Sequence, residues 1–183
     1  SRSRRASEMY CTPAQLADAK LTVELAQCAT PDRFPVVAPD LFEATLRGED
    51  RSSFDPADIA IADEALAHVV NALTDADGVI DGHLRLRKPV AYPLPLNPVP
   101  GIVVTWARWI ARYLLNKDRV GTQEQSDPVV RDYRQAIRFL ELTRDGKFSL
   151  GADDPLPPAS GGSPEVSAPE RVFTHDTLRD FLQ

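Results

Sequence analysis

Downstream of Asp55 the apolar residues Leu66, Val69, Leu73, Ala76, Ile80 and Leu84 recur at spacings of 3, 4, 3, 4 and 4, the repeat of one helix face. The pattern predicts a helix from about Pro56 to about Leu86, roughly 45 Å long at 1.5 Å per residue. Asp63, Glu64, Asp75, Asp77 and Asp81 are expected off that stripe, on a solvated acidic face. Gly78 and Gly82 cost a helix interior roughly 1 kcal/mol each relative to Ala, so they are expected to permit close packing or a bend.

The next stretch, "IVVTWARWIARYLLNKD", is apolar on almost every side, the mark of a central helix. Its Trp106 and Trp109 are expected in the core rather than as a stacking platform. From Pro128 to about Asp145 a further helix places Val130, Tyr133, Ile137 and Leu140 on one face, and Gly146 stands where a left-handed closing residue belongs.

Helix starts are marked by capping residues before proline. Thr12-Pro13 with Gln15 forms a capping box, and Asp55-Pro56 and Asp127-Pro128 repeat the device; proline has no N–H to leave unpaired at the first helical position, and the cap oxygen satisfies an orphan amide. Asn97-Pro98 and Pro100 compete to start the central helix. "YPLPLNPVP" at 92–100 reads as an extended hinge, because each proline pushes its predecessor out of the α region. Residues 29–54, with "TPDRFPVV" and "LRGEDRSS", read as a long polar surface excursion reaching a neighbour. Strand-like alternation is confined to the short "KFSLG".

The expected architecture is all-α: a small bundle of four to five helices with one long helix, and extended arms. Residues 1–8 form an N-terminal arm, 9–151 the helical domain, 152–170 a Pro/Gly linker and 171–183 a C-terminal docking segment. At 183 residues such a chain can bury a real core without disulfides or metal. Sixteen prolines fit many helix starts and linkers.

Charge and chemistry narrow the function. Lys and Arg number 21 against 27 Asp and Glu, a formal charge of −6, which is not the basic balance of a nucleic-acid binder. An acidic wall does let a duplex pass without sticking, since attraction needs cation–phosphate contacts. Cys11 and Cys28 lack zinc-site spacing and are expected to be buried thiols. His68 and His83, fifteen apart on the long helix, are about 22 Å apart along its axis and cannot share a metal. The "DADGVIDG" run lacks the length and closing Glu of a calcium loop. No catalytic motif occurs, no cofactor or metal is expected, and no apolar run approaches the roughly 18 residues of a membrane span. "SRSRRASE" has charge but no apolar stretch after it, so a soluble protein made inside the cell is expected. Arg85, Arg87 and Lys88 gather at the end of the long helix. They read first as cations favourable at a helix C-terminus, and second as a phosphate or acidic-partner contact.

The C-terminal segment poses its own problem: Val172, Phe173, Leu178, Phe181 and Leu182 follow a flexible tether, with no domain left to bury them. A tethered apolar segment of this kind is expected to gain its burial on a partner, its ordering entropy being met on binding.

"MYCTPAQLA", "DADGVIDGHL", "YPLPL" with the following "VP", "IARYLL", "YRQAIRFLELTRDGKFSLG" and "RVFTHDTLRDF" occur in that order. Together they resemble the Mu-like phage family of small head-to-tail connector proteins, over nearly all of residues 9–183. The resemblance implies an all-α adaptor without catalysis, forming a ring of twelve copies beneath the portal at the virion neck. It would be assembled in the host cytoplasm and would join portal to stopper or tail while DNA passes through the ring. It also implies that the C-terminal arm reaches the portal, making Arg171, Val172, Phe173, Leu178, Phe181 and Leu182 the docking candidates. The alternatives are a stopper or other neck protein, and a helical DNA-binding regulator. The 29–54 excursion and the "SRSRR" preceding Met9 depart from the family's pattern.

Overall fold

The computed structural model describes residues 9–18, 21–88, 90–119 and 127–151. The N-terminal arm, the linker and the docking segment lie outside the described residues. The described chain contains six helices: α1 (Pro13–Asp18), α2 (Thr22–Ala29), α3 (Pro39–Arg47), α4 (Pro56–Arg85), α5 (Gly101–Asn116) and α6 (Pro128–Arg144). No strand occurs among the described residues, so "KFSLG" is irregular.

The predicted starts are made as the sequence indicates. Thr12 and Gln15 exchange both capping-box bonds, the Thr12 amide to Gln15 Oε1 at 2.9 Å and the Gln15 amide to Thr12 Oγ1 at 3.3 Å. Asp55 accepts from the Ala57 amide at 2.7 Å and Asp127 from the Val129 amide at 2.8 Å. Gly146 closes α6 at φ 72°; its amide donates to Thr143 O and the next amide, of Lys147, to Leu142 O, the paired bonds of a Schellman end.

Helix α4 carries the fold. It packs against each of the other five helices, and α2 also reaches α5. Val69, Leu73, Ala76, Ile80 and Leu84 are buried as the stripe predicts, and Leu66 is half-buried. Trp106 is fully buried. It stacks on Phe139 with ring centroids 6.0 Å apart and tilts against Phe148 at 5.9 Å, an aromatic cluster that joins α5, α6 and the segment following α6.

Four expectations are corrected. Residues 29–54 are not a polar surface excursion: they contain α3, whose Leu41, Phe42 and Leu46 are buried in the core. The cause is the amphipathic nine-residue run between Pro39 and Gly48, the latter closing it at φ 68°. Asp77 and Asp81 are not on the solvated face but buried at 0% and 7% exposure, because they fall three or four residues from Leu73, Ile80 and Leu84 and share their face. Gly78 and Gly82 do not make room for a neighbour, since a Cβ added at either would meet nothing within 4 Å. The 92–100 hinge is not one extended run: the chain bends at 94–95 and again at 97–98, and Leu96 between them is buried.

Candidate interaction surfaces

The Arg85, Arg87 and Lys88 cluster does not persist in three dimensions. Helix α4 ends at Arg85, and the chain turns through Leu86 at φ −88°, ψ 0°, which takes the next side chain off the helical register. Arg87 is thereby buried at 3% exposure, lies over the Tyr92 ring at 4.6 Å and donates to Val90 O at 3.1 Å. Arg85 and Lys88 remain exposed. The Lys88 amide donates to Arg144 O at 3.2 Å, so the C-terminal ends of α4 and α6 meet here. Leu86 and Val90, 64% and 52% exposed, add apolar surface to this end of the bundle. Near it the Leu150 amide meets Tyr92 Oη at 3.4 Å.

Sequence reasoning places no role on the buried carboxylates, yet they organise the N-terminal strand of chain. Tyr10's amide donates to both Asp77 oxygens at 3.3 Å, its hydroxyl donates to Asp81, and the Leu96 amide donates to that hydroxyl at 3.2 Å. One tyrosine thus ties residues 9–12, α4 and the proline hinge together. The helical phase of 77 and 81 against 73, 80 and 84 is the signal that marks these positions; their acidic side chains argue the other way until Tyr10 is in place.

The cysteines and two of the histidines make contacts within the fold. Burial pushes the Cys11 thiol up to about 11, the nearby Arg108 guanidinium pulling the other way. Cys28 is also raised by burial, and its thiol donates to Asn116 Oδ1 at 2.7 Å. His68 and His83 each bind a backbone carbonyl through Nδ1, of Ala29 at 2.9 Å and of Val79 at 2.8 Å. Among the described residues no three His, Cys, Asp or Glu side chains stand close enough to hold a metal ion, and no helix is long and apolar enough to cross a membrane.

Grooves among the described residues include the following. One lies between α1, α2 and α3, lined by Ala17, Val23, Glu43 and Arg47 among others, with the Arg47 to Asp18 ion pair at 2.6 Å across it. Another, about 450 Å³, runs along α6 and is lined by Arg134, Gln135, Arg138, Phe139 and Leu142. Acidic side chains crowd elsewhere: Asp58, Asp63, Glu64 and Asp75 are exposed on α4, the middle two held by Arg51 and Arg33.

Comparison with known proteins gives a consistent result. The sequence profile of the family described as "Bacteriophage Mu, Gp36" matches residues 10–168. The chain is similar to the Mu-like prophage FluMu protein gp36 of Haemophilus influenzae, with 35% identity over 117 residues, covering 63% of this chain and 77% of that protein. It is also similar to gene product J of Escherichia phage Mu, with 33% identity over 91 residues, covering 50% of this chain and 57% of that protein.

Proposed function

The chain belongs to the Bacteriophage Mu Gp36 family, and from that premise we propose that it is a structural virion protein acting as a head-to-tail adaptor. In this reading copies of the chain form a ring, of twelve subunits, under the portal at the virion neck and join it to the stopper or tail. DNA passes through the ring without sequence-specific binding. The observation that carries the reading is the family match over residues 10–168 of an all-helical phage protein.

Physical features agree with it. An overall charge of −6 keeps a passing duplex from being held, because retention needs cations that displace the phosphates' counterions. The roughly 45 Å length of α4 supplies a stiff strut on which both halves of the subunit pack. Arg171, Val172, Phe173, Leu178, Phe181 and Leu182 are the residues proposed to anchor the subunit on the portal. The reading gives the protein no catalytic step and no cofactor. A helical DNA-binding regulator fits less well, since Arg87 is buried on Tyr92 and the cationic cluster that a recognition surface would use reduces to Arg85 and Lys88.

The test is the native mass of this chain co-expressed with its phage's portal protein, in full-length form and with residues 162–183 removed. An assembly with one adaptor per portal subunit, lost on truncation while the truncated chain stays helical, is expected. A stopper would fail to bind the portal alone and would bind only after another neck protein was added. Phe173→Ala should weaken portal binding by roughly 2 kcal/mol, the cost of losing an interface anchor; an unchanged affinity would remove that residue from the contact.

A further inference from the structure

We propose that the C-terminal end of α4 on one copy of this chain docks on segment 32–40 of a second copy. The inference deepens the ring reading by naming the two faces that meet between neighbouring subunits, and it rests on that reading for the ring's closure.

The first face is apolar and cationic. Leu86 and Val90 are 64% and 52% exposed. Arg85 and Lys88 beside them are exposed and make no ion pair among the described residues. The end of α6 lies alongside, joined through the Lys88 amide to Arg144 O, and there Arg144 and Lys147 both hold Asp145. Residues 85–90 and 141–147 together carry five cations and two carboxylates, so the positive excess survives a full count. Helix dipoles account for cations at two helix C-termini, but not for exposed aliphatic side chains between them.

The second face is apolar and acidic. Pro35, Val36, Ala38 and Pro39 are exposed, Val36 at 56%. Carboxylates stand at either end of this run: Asp32, whose side chain is 99% exposed, and the exposed Asp40. Arg33 is held by Glu64, and Arg119 stands 3.7 Å from Asp32. Residues 29–64 as a whole carry nine Asp and Glu against three Arg, an excess that Arg119 does not cancel.

The two faces cannot meet within one subunit. The Arg33 to Glu64 ion pair at 2.5 Å sets segment 32–40 beside the N-terminal part of α4, and Arg85 at the far end of that helix lies about 32 Å further along at 1.5 Å per residue. Like faces repel, because two cationic ends or two acidic segments would place equal charges opposite one another. Two-fold pairing is thereby disfavoured, and a head-to-tail contact between unlike faces is favoured, the kind that generates a ring when its rotation closes. Nucleic-acid phosphates would satisfy Arg85 and Lys88 but leave Leu86 and Val90 in water, whereas a protein face with an apolar centre and a charged rim covers both.

Sedimentation velocity of the full chain, without any portal, tests the contact. The native chain is expected to gain mass reversibly with concentration and to lose that gain at high salt, where attraction between exposed charges is screened. Two double variants separate the faces: Arg85→Glu with Lys88→Glu, and Asp32→Lys with Asp40→Lys. Each alone should associate about tenfold or more weakly than the native chain, and an equal mixture of the two should regain association, since the reversed faces complement each other across copies. Leu86→Asp and Val36→Asp, at exposed positions, should each weaken association in the same way, with circular dichroism showing the helices unchanged. A native chain that stays monomeric at every concentration would overturn the proposal. Variants that associate like the native chain, or a mixture that fails to regain association, would do the same. Intact self-association with lost retention on duplex DNA in the Arg85 and Lys88 variant would also overturn it, by assigning those cations to phosphate. Portal binding judges the adaptor reading separately: a monomeric chain that still joins the portal removes this contact and leaves that reading standing.

Discussion

The Tyr10 hydroxyl donates its proton to the Asp81 carboxylate across 71 residues of chain, and the same oxygen accepts from the Leu96 amide. A hydrogen bond to a charged, buried acceptor contributes more than a neutral one, and its removal leaves groups that water cannot reach. Tyr10→Phe should therefore cost about 2 kcal/mol of stability. In urea titration the midpoint should fall with no change in slope, because the fold stays compact.

Cysteine reactivity should separate by burial. At neutral pH the Cys11 thiol, raised to about 11, has almost no thiolate, and only the thiolate reacts. Thiol-reactive reagents should modify the half-buried Cys28 slowly and Cys11 only on unfolding. Equal rates for the two in the native protein would contradict the packing of Met9 to Thr12 on α4.

The same shift predicts an alkaline weakening. The folded value of about 11 lies above the ordinary 9.0, so the unfolded chain ionises first and its advantage grows with pH. The contribution is intact below pH 9 and is lost as pH rises through 11, amounting to roughly 2 kcal/mol at the upper end. Comparing thermal melts of the native protein and Cys11→Ala between pH 8 and 11 isolates it, because the variant lacks that part of the decline.

Glycines should divide by backbone conformation. Gly78 and Gly82 lie inside α4 with open space where a Cβ would go, so Gly78→Ala and Gly82→Ala should each stabilise the subunit by about 0.5–1 kcal/mol. Gly146 sits at φ +72°, and a Cβ there would stand 3.1 Å from Lys88 O. Gly146→Ala should destabilise by about 1 kcal/mol or more. Calorimetric melting of the three variants checks the sign in each case.

Arg112 joins three helices. It forms a fork to Glu24, Nε to Oε1 at 2.7 Å and Nη2 to Oε2 at 2.6 Å, with Asp132 at 3.7 Å on the other side, and the Glu24 bonds hold its guanidinium more firmly charged. Lysine cannot reproduce two parallel bonds, so Arg112→Lys should cost about 1 kcal/mol. Glu24→Gln should cost a similar amount, and the double variant less than the two together.

Much of this was legible in sequence because its causes are local. The caps at Thr12, Asp55 and Asp127, the bounds of α4 to within a residue, the closing turn at Gly146 and the burial of Trp106 follow from proline's missing amide, from short-range hydrogen bonds and from a repeat of 3.6 residues. The ordered motifs carried the family resemblance, and the family match bears it out. Tertiary structure decided where a polar side chain has a partner far along the chain. Asp77 and Asp81 are inside because Tyr10 arrives from 67 and 71 residues away, and α3 is core because its short apolar face finds α1, α2 and α4; Arg87 is inside through near neighbours, Tyr92 and Val90 O, once the chain turns at Leu86. Periodicity reports which face of a helix is apolar. Whether a charge on that face can stay buried depends on a hydrogen bond that exists only once the chain has folded.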